Sequence, residues 1–271
     1  MLPAGLDAER IKALPLAKKK RLLELLKAKR AIKAQKLFFS LYQDKDTIWD
    51  GPALLGGLIA EGQTLYRREL YPKHLEFFEV GATHRERCAM CANRVGKTFG
   101  MGGYEMTCHL TGLYPPWWKG RRFSHPVSAW AAGKTNETTR DIVQFTLLGS
   151  VKDTTSRKIV DGRGVIPGKL LGQPTWKQGV ANLVDTIPVK HVSGGWSELG
   201  IKSYQQGRGS FEGTGKHAIW MDEEPPEEIY GECLIRTATT HGLVWLTFTP
   251  LEGLSKVVLS FLPADQRPEG M

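Results

Sequence analysis

The feature that most constrains this chain is a short run of small, mostly apolar residues that leads into Gly96-Lys97-Thr98. A glycine lets the backbone approach a phosphate closely, a lysine reaches the β- and γ-phosphates of a nucleotide, and a threonine hydroxyl binds Mg²⁺. The phosphates are held where a strand turns into a helix, because backbone N–H groups at a helix N-terminus attract anions. The pattern therefore predicts a strand over 87–91, a phosphate-binding loop and a helix to about Leu110.

The loop departs from the usual G-x-x-x-x-G-K-[ST] pattern at its first glycine, which is replaced by Cys91. Taken alone, the tripeptide could be a chance match on a surface turn. The apolar strand before it and the partly apolar helix after it favour a phosphate loop. The residues expected to contact a nucleotide are Asn93, Arg94, Val95, Gly96, Lys97, Thr98 and Phe99.

A second motif lies downstream, where the apolar run 218–221 ends in Asp222 and Glu223. Such a run is typical of a buried parallel strand. A carboxylate at the strand tip can bind Mg²⁺, and the next one can orient the water that attacks a phosphate. An exposed acidic turn is the alternative, but two distant motifs with complementary roles at one nucleotide favour the catalytic interpretation. We expect Thr98 and Asp222 as metal ligands, and Lys97 and Glu223 as catalytic residues.

Further apolar runs predict an α/β protein. Strands are expected at 127–132, 189–193 and 243–248, with a helix over 136–148 and surface structure around a short strand at 150–180. Alternation of strands and helices is typical of an α/β sheet. Thr247 or Thr249 could lie beside the γ-phosphate, although composition alone favours an ordinary core strand there.

Positive charge is concentrated at the N-terminus, where residues 1–40 hold 11 Lys or Arg and 3 Asp or Glu. The pattern predicts a basic helical arm over 1–45, a linker over 46–64 and the main domain over 65–271. The arm could dock on the domain or contact DNA or another protein, and the sequence favours neither. The absence of a signal peptide and of a long apolar run predicts a cytosolic chain.

Cys88 and Cys91 form a C-x-x-C pair, which can indicate a zinc or redox site. No second pair and no suitably spaced histidines accompany it. Small buried side chains on the approach to the loop are the favoured interpretation.

Together these motifs resemble the N-terminal ATPase part of the large terminase subunit of tailed bacteriophages. The resemblance rests on 92–98, 109–118 and 219–226, with weaker likeness at 204–207 and 211–214. It implies a P-loop NTPase core of the ASCE, RecA-like type, with a mainly parallel sheet flanked by helices. It also implies ATP and Mg²⁺ as cofactors, and ATP hydrolysis that drives double-stranded DNA into a procapsid.

The resemblance also implies roles for single residues. His74 stands near the position where the family carries an adenine-binding glutamine, and the segment 247–249 matches the motif that couples hydrolysis to movement. An arginine that neutralises charge on the γ-phosphate is expected. The candidates are Arg94 from the same subunit and Arg140 from a neighbouring one.

The implied partners are a homo-oligomeric ring on the portal, a small terminase subunit and double-stranded DNA in the host cytoplasm, with no membrane partner. The family's C-terminal nuclease domain is expected to be absent from this chain, which predicts ATPase without nuclease activity. An alternative is an ATP-gated adaptor that binds DNA or protein without productive turnover. A small-molecule or nucleotide kinase is less favoured, since no motif indicates an acceptor pocket.

Overall fold

A computed structural model describes residues 15, 19–20, 37–42, 67–251 and 253–267. The expected linker at 46–64 and most of the expected arm at 1–45 lie outside these residues. Within the arm, the described segment 37–42 packs into the protein core, and its rings contact the helix that follows the phosphate loop. At most 2% of each of the following side chains is exposed: Phe38, Phe39, Leu41 and Tyr42.

Six strands form one sheet in the order β1-β8-β7-β2-β6-β5, and β3 and β4 form a separate hairpin. Every neighbouring pair in the large sheet is parallel except β5 with β6. The mainly parallel sheet expected from the sequence is confirmed. The strands are β1 Glu86–Met90, β2 Ser128–Gly133, β3 Val151–Asp153, β4 Lys158–Val160, β5 Thr186–Lys190, β6 Trp196–Ser203, β7 Ala218–Asp222 and β8 Leu243–Phe248.

The central strands are apolar because both faces of the sheet are covered. Every residue of β7 and β8 is buried, as expected for parallel strands between two layers of helices. Strand β8 lies between β1 and β7. One strand therefore separates the phosphate-loop strand from the strand that ends in the acidic pair, which is the arrangement of an ASCE core.

Helices connect the strands and cover the two faces, with α2 on one face and α4 and α5 on the other. Helix α2 begins in π-helical turns and continues as α-helix, and α3 combines α-helical ends with a π-helical centre. No helix within the described ranges is long and apolar enough to cross a membrane. The helices are α1 Pro72–Val80, α2 Lys97–Gly103 with Tyr104–Thr111, α3 Asn136–Thr138 with Thr139–Gln144 and Phe145–Leu148, α4 Glu227–Ala238 and α5 Lys256–Phe261.

A buried polar network fixes α2 against β1. The Arg87 guanidinium lies 2.7 Å from the Glu105 carboxylate, and both side chains are almost fully buried. His109 Nε2 lies 3.2 Å from the same carboxylate, and its Nδ1 lies 2.9 Å from the Tyr114 hydroxyl. Because a buried charge is tolerated only when it is paired, this network holds α2 at one position relative to the sheet.

Two sequence expectations are wrong in detail. The strand expected at 189–193 ends at Lys190, because Gly194, with φ of +100°, helps to form a turn that leads into β6. Strand β6 was not expected. The segment 150–180 is not confined to the surface, since Val165 and Ile166 are fully buried.

Candidate nucleotide-binding site

The carboxyl ends of the parallel strands place the predicted functional residues along one edge of the sheet. The phosphate loop follows β1, Thr249 follows β8, Glu223 follows β7 and Tyr204 follows β6. In open α/β sheets this edge is where ligands bind. The two distant motifs therefore lie at the same edge because β1, β8 and β7 are neighbours.

The loop between β1 and α2 has a backbone suited to wrapping a phosphate. Gly96 has a φ of +86° and Arg94 a φ of +64°, both in the left-handed region. Glycine adopts this region freely, whereas arginine does so at a cost of about 1–2 kcal/mol. The Gly96 carbonyl accepts hydrogen bonds from the N–H groups of Gly100 and Met101. Strained non-glycine residues occur most often at functional sites.

Lys97 is buried at the start of α2, where its ammonium group contacts two other site residues. Its Nζ lies 2.8 Å from Thr249 Oγ1 and 3.2 Å from Asn93 Oδ1. Thr249 Oγ1 also lies 2.9 Å from the Cys91 carbonyl oxygen. The end of β8 is therefore joined to the phosphate loop through a hydroxyl group that contacts the lysine.

The second half of the site is a chain of hydrogen bonds that ends on Asp222. Trp220 Nε1 donates to Thr247 Oγ1 at 2.7 Å, and Thr247 Oγ1 donates to Asp222 Oδ1 at 2.7 Å. An indole N–H can only donate, so the single Thr247 hydrogen is free for the carboxylate. Thr98 Oγ1 lies 3.0 Å from the same carboxylate oxygen. The hydroxyl and carboxylate expected to bind a metal ion are thus adjacent.

Burial sets the protonation behaviour of this carboxylate. Asp222 is 2% exposed, and burial raises its pKa to about 7, with a smaller contribution from the charge of Glu223. The hydrogen bonds from Thr247 and Thr98 and the charge of Lys97 oppose this rise. A cation bound beside Asp222 would also oppose it, since positive charge favours the ionised form.

Glu223 follows Asp222 in an uncommon backbone conformation, with a φ of +67°. Its N–H donates to the Thr247 carbonyl at 3.1 Å. The Tyr204 hydroxyl lies 3.0 Å from both the Asp222 and the Glu223 carbonyl oxygens. Thr247 on β8 and Tyr204, which follows β6, therefore fix the backbone around Glu223, while its partly exposed side chain lies at the sheet edge.

The two arginine candidates occupy different places. Arg94 is exposed in the loop and makes no hydrogen bond or ion pair with the residues that the structure describes. Arg140 lies on α3, where it pairs with Asp141 at 2.8 Å and contacts the Ala181 carbonyl. Arg94 therefore lies within the phosphate loop of its own chain, whereas Arg140 lies on α3 and its contacts are with Asp141 and Ala181.

The side chains of His74 and Phe99, both predicted to contact a nucleotide, are engaged with the protein itself. His74 is buried with both ring nitrogens near protein oxygen atoms, and Phe99 packs against the core. A cavity of about 580 Å³ opens beside the loop and is lined by side chains that include His74, Phe77, Val95 and Met101. The cavity has the size of a small-molecule site.

The thiols of the C-x-x-C pair are free, and burial raises the pKa of both. A protonated thiol is a poor nucleophile and a poor metal ligand. Within the described ranges, no group of three or more His, Cys, Asp or Glu side chains could hold a metal ion.

Comparison with known proteins identifies the family. Residues 88–270 match the family model described as the terminase large subunit, T4likevirus-type, N-terminal. The chain belongs to the terminase large-subunit family. It is 40% identical over 217 residues to the large terminase subunit of Salmonella phage P22, covering 73% of this chain and 42% of that protein.

The chain therefore spans less than half the length of this P22 terminase relative. The solved structure of the large terminase from a thermophilic bacteriophage, in complex with ADP, also matches this terminase chain. The two chains are 13% identical with a TM-score of 0.40, and the match covers 65% of this chain and 37% of the thermophilic phage terminase.

Three residues of the site were missed as functional residues at the level of sequence. Trp220 looks like an ordinary core residue of a Walker B strand, and Tyr204 follows a strand that was not expected. Gly102 lies so close to Trp220 that an added Cβ would be 2.1 Å from the indole ring. A glycine five residues after the lysine of the motif is the signal that could have indicated this close packing.

Proposed function

We propose that this terminase chain is an ATPase whose hydrolysis of ATP drives double-stranded DNA into a procapsid. The observation that carries the proposal is the convergence of Lys97, Thr98, Asp222 and Thr249 at one edge of the sheet, through contacts of 2.8–3.0 Å. These residues come from three adjacent strand ends. A surface turn that happened to contain Gly-Lys-Thr would not be joined to an acidic strand end in this way.

The proposed phosphate contacts follow from charge and position. The N–H groups at the start of α2 and the positive end of the helix would attract the phosphates. Lys97 adds a full positive charge at the same place. Binding of a triphosphate would compete with Asn93 and Thr249 for the ammonium group, because all three offer oxygen atoms to the same donor.

The donor set at Thr98 and Asp222 fits Mg²⁺, which prefers oxygen ligands and usually binds one or two carboxylates together with phosphate oxygens. When bound, the ion would neutralise negative charge on the phosphates. Thr247 holds the Asp222 carboxylate in place for this purpose. The hydrogen bonds within the chain therefore orient Thr98 and Asp222 before a metal ion or nucleotide binds.

Glu223 is proposed to orient and polarise the attacking water. Its backbone is fixed by the Thr247 carbonyl and the Tyr204 hydroxyl, so its side chain extends from a rigid strand end. A carboxylate at this position can accept a proton from the water as it attacks. Arg94 is proposed to reach the γ-phosphate within the chain, and Arg140 to do so from a neighbouring subunit.

The cavity beside the loop is the proposed place for the nucleotide base. It adjoins Val95 and Cys91 of the loop and is lined largely by apolar side chains. Burial of an aromatic base in such a cavity would add affinity that depends on shape rather than on charge.

The remaining partners are proposed from the family alone. They are a ring of identical subunits on the portal, a small terminase subunit and double-stranded DNA, in the cytoplasm of the host cell. The P22 relative carries the name of a large terminase subunit, and this chain spans 42% of its length. DNA translocation is therefore the part of the proposal that needs the whole assembly for its test.

ATP turnover and ATP binding should be measured for the wild type, Lys97→Ala, Glu223→Gln and Glu228→Gln. We expect Glu223→Gln to bind ATP normally and to lose turnover by at least about 100-fold, since a positioned general base contributes 10²- to 10⁴-fold. Lys97→Ala should lose binding as well. Glu228→Gln, an exposed carboxylate in the first turn of α4, is the matched control and should retain activity.

Two outcomes would contradict the proposal. Equal turnover in the wild type and Glu223→Gln would remove Glu223 from catalysis. Nucleotide binding by a wild type without turnover, even in the presence of DNA and the partner proteins, would favour an ATP-gated adaptor instead.

A further inference from the structure

The phosphate loop is held from behind by two side chains that do not belong to it. His74 Nε2 lies 3.0 Å from the Val95 carbonyl oxygen, and the Tyr42 hydroxyl lies 2.8 Å from the Gly100 carbonyl oxygen. The Tyr42 hydroxyl also lies 2.6 Å from His74 Nδ1. The two side chains, called here the loop clamp, thus join each other and two backbone carbonyls.

These carbonyls lie on opposite sides of the residues that would hold the phosphates. Val95 precedes Gly96 and Lys97, whereas Gly100 lies in the first turns of α2. Fixing both carbonyls fixes the peptide groups between them, and with them the direction of the N–H groups that a phosphate would meet. Positioning of this kind lowers the ordering cost of binding.

The loop clamp is rigid because it is buried and closely packed. His74 is 6% exposed and Tyr42 is fully buried, and the Tyr42 ring packs edge-on against Phe78 and Tyr104. An added Cβ at Gly100 would lie 2.8 Å from the Tyr42 hydroxyl. The approach of Tyr42 to the helix therefore requires a glycine at this position.

The contacts also define what His74 offers to a ligand. A carbonyl oxygen only accepts hydrogen bonds, so the hydrogen on Nε2 is committed to Val95. Burial lowers the pKa of His74, which favours the neutral ring, so Nδ1 accepts. The single hydrogen of the Tyr42 hydroxyl is therefore shared between Nδ1 and the Gly100 carbonyl oxygen. His74 lines the cavity beside the loop, but its polar atoms are engaged with the protein.

We propose that His74 and Tyr42 are positioning residues that set the shape of the phosphate loop, and that His74 does not hydrogen-bond the base. The cavity then accepts the base through shape and apolar contact. This inference rests on the proposed nucleotide binding. It assigns Tyr42, which is remote in sequence from both motifs, to the support of the phosphate site.

The test separates the phosphate contribution from the base contribution. Dissociation constants for ATP, GTP and inorganic tripolyphosphate should be measured for the wild type, Tyr42→Phe and His74→Ala. Tyr114→Phe is the matched control, because its hydroxyl is also hydrogen-bonded, to His109 and the Phe123 N–H, just after the C-terminal end of α2. Thermal denaturation identifies any variant that has lost its fold.

We expect Tyr42→Phe and His74→Ala to weaken binding of all three probes by the same factor, with the ATP-to-GTP ratio unchanged. Loss of one buried hydrogen bond corresponds to a factor of roughly 3–10, since such bonds contribute about 0.5–1.5 kcal/mol. Backbone hydrogen exchange over 95–100 should be faster in Tyr42→Phe without ligand. In Tyr114→Phe it should stay at the wild-type rate.

A shift in the ATP-to-GTP ratio in His74→Ala, with tripolyphosphate binding unchanged, would overturn the inference and make His74 a base contact. Unchanged exchange and unchanged binding in Tyr42→Phe would also overturn it, while leaving the proposed function intact. Failure of the wild type to bind any of the three probes would instead overturn the proposed function, and the loop clamp with it.

Discussion

The sharpest test of the site is replacement of Thr247 by valine. Valine has nearly the same shape as threonine, but it removes the hydroxyl that accepts from Trp220 Nε1 and donates to Asp222 Oδ1. Both partners are buried. The substitution therefore leaves a buried indole N–H without its partner and removes one hydrogen bond from a buried carboxylate.

The expected cost can be worked out from these two losses. The indole N–H left unsatisfied costs about 1–3 kcal/mol, and the hydrogen bond lost from the carboxylate costs about 1 kcal/mol more. Thr247→Val should therefore lower the free energy of unfolding by roughly 2–4 kcal/mol. Thr247→Ser keeps the hydroxyl and removes one buried methyl group, which should cost only about 1 kcal/mol. The difference in the free energy of unfolding between the two variants therefore measures the hydrogen bonds separately from the packing of the methyl group.

Urea denaturation of the wild type, Thr247→Val, Thr247→Ser and Trp220→Phe measures these free energies. The double variant Trp220→Phe/Thr247→Val should be more stable than the sum of the single losses predicts, by about 0.5–3 kcal/mol, because the two groups share one interaction. The affinity for Mn²⁺ in the presence of ATP, used as a probe of the metal site, should fall in Thr247→Val and remain near the wild-type value in Thr247→Ser. Equal stabilities of the valine and serine variants, within about 0.5 kcal/mol, would refute the hydrogen-bond chain.

Three further results are expected. Gly102→Ala should lose about 3 kcal/mol of stability in urea denaturation because its methyl group would lie 2.1 Å from an indole atom, whereas Gly231→Ala, with no atom within 4 Å of its Cβ, should gain about 0.5–1 kcal/mol. Glu105→Gln should cost about 3–5 kcal/mol in thermal or urea denaturation, since it leaves the buried Arg87 charge uncompensated. Burial lowers the pKa of His109 from 6.5, against the opposing effect of Glu105. Near and below pH 6.5 the unfolded chain therefore binds more protons at this residue than the folded chain does. The free energy of unfolding should fall as the pH drops below about 6.5, by up to about 1.4 kcal/mol per pH unit.

Sequence patterns were sufficient to predict an element where its structure depends mainly on residues that are neighbours in the chain. The apolar runs of β7 and β8 are continuous because both faces are covered, and their bounds were predicted almost to the residue. A helix was predicted over 136–148, and α3 covers these residues, with the Thr135 side chain capping its start. In each case the local pattern and the final environment agree.

The missed elements depend on contacts that sequence spacing does not show. Strand β6 contains Glu198 and Lys202 and has a glycine at its centre, so it does not read as a buried strand. It forms because β2 on one side and β5 on the other supply hydrogen-bonding partners. Placing Tyr204 at the site required knowledge of this pairing. The same holds for His74, whose buried position depends on Tyr42, 32 residues earlier in the chain.

The position of β8 explains how the site could transmit a change at the nucleotide to the rest of the domain. Thr247 contacts the carboxylate that would bind the metal ion, and Thr249, two residues later, contacts the lysine that would bind the phosphates. Both hydroxyls lie at the end of one strand between β1 and β7. Loss of the γ-phosphate would change what Lys97 and the metal ion contact, and each change would reach the end of β8 through a single hydrogen bond. If the proposed packaging function is right, Thr249→Val should reduce coupling of ATP turnover to DNA movement more than it reduces ATP binding. An equal loss in both would show that Thr249 acts only as part of the phosphate site.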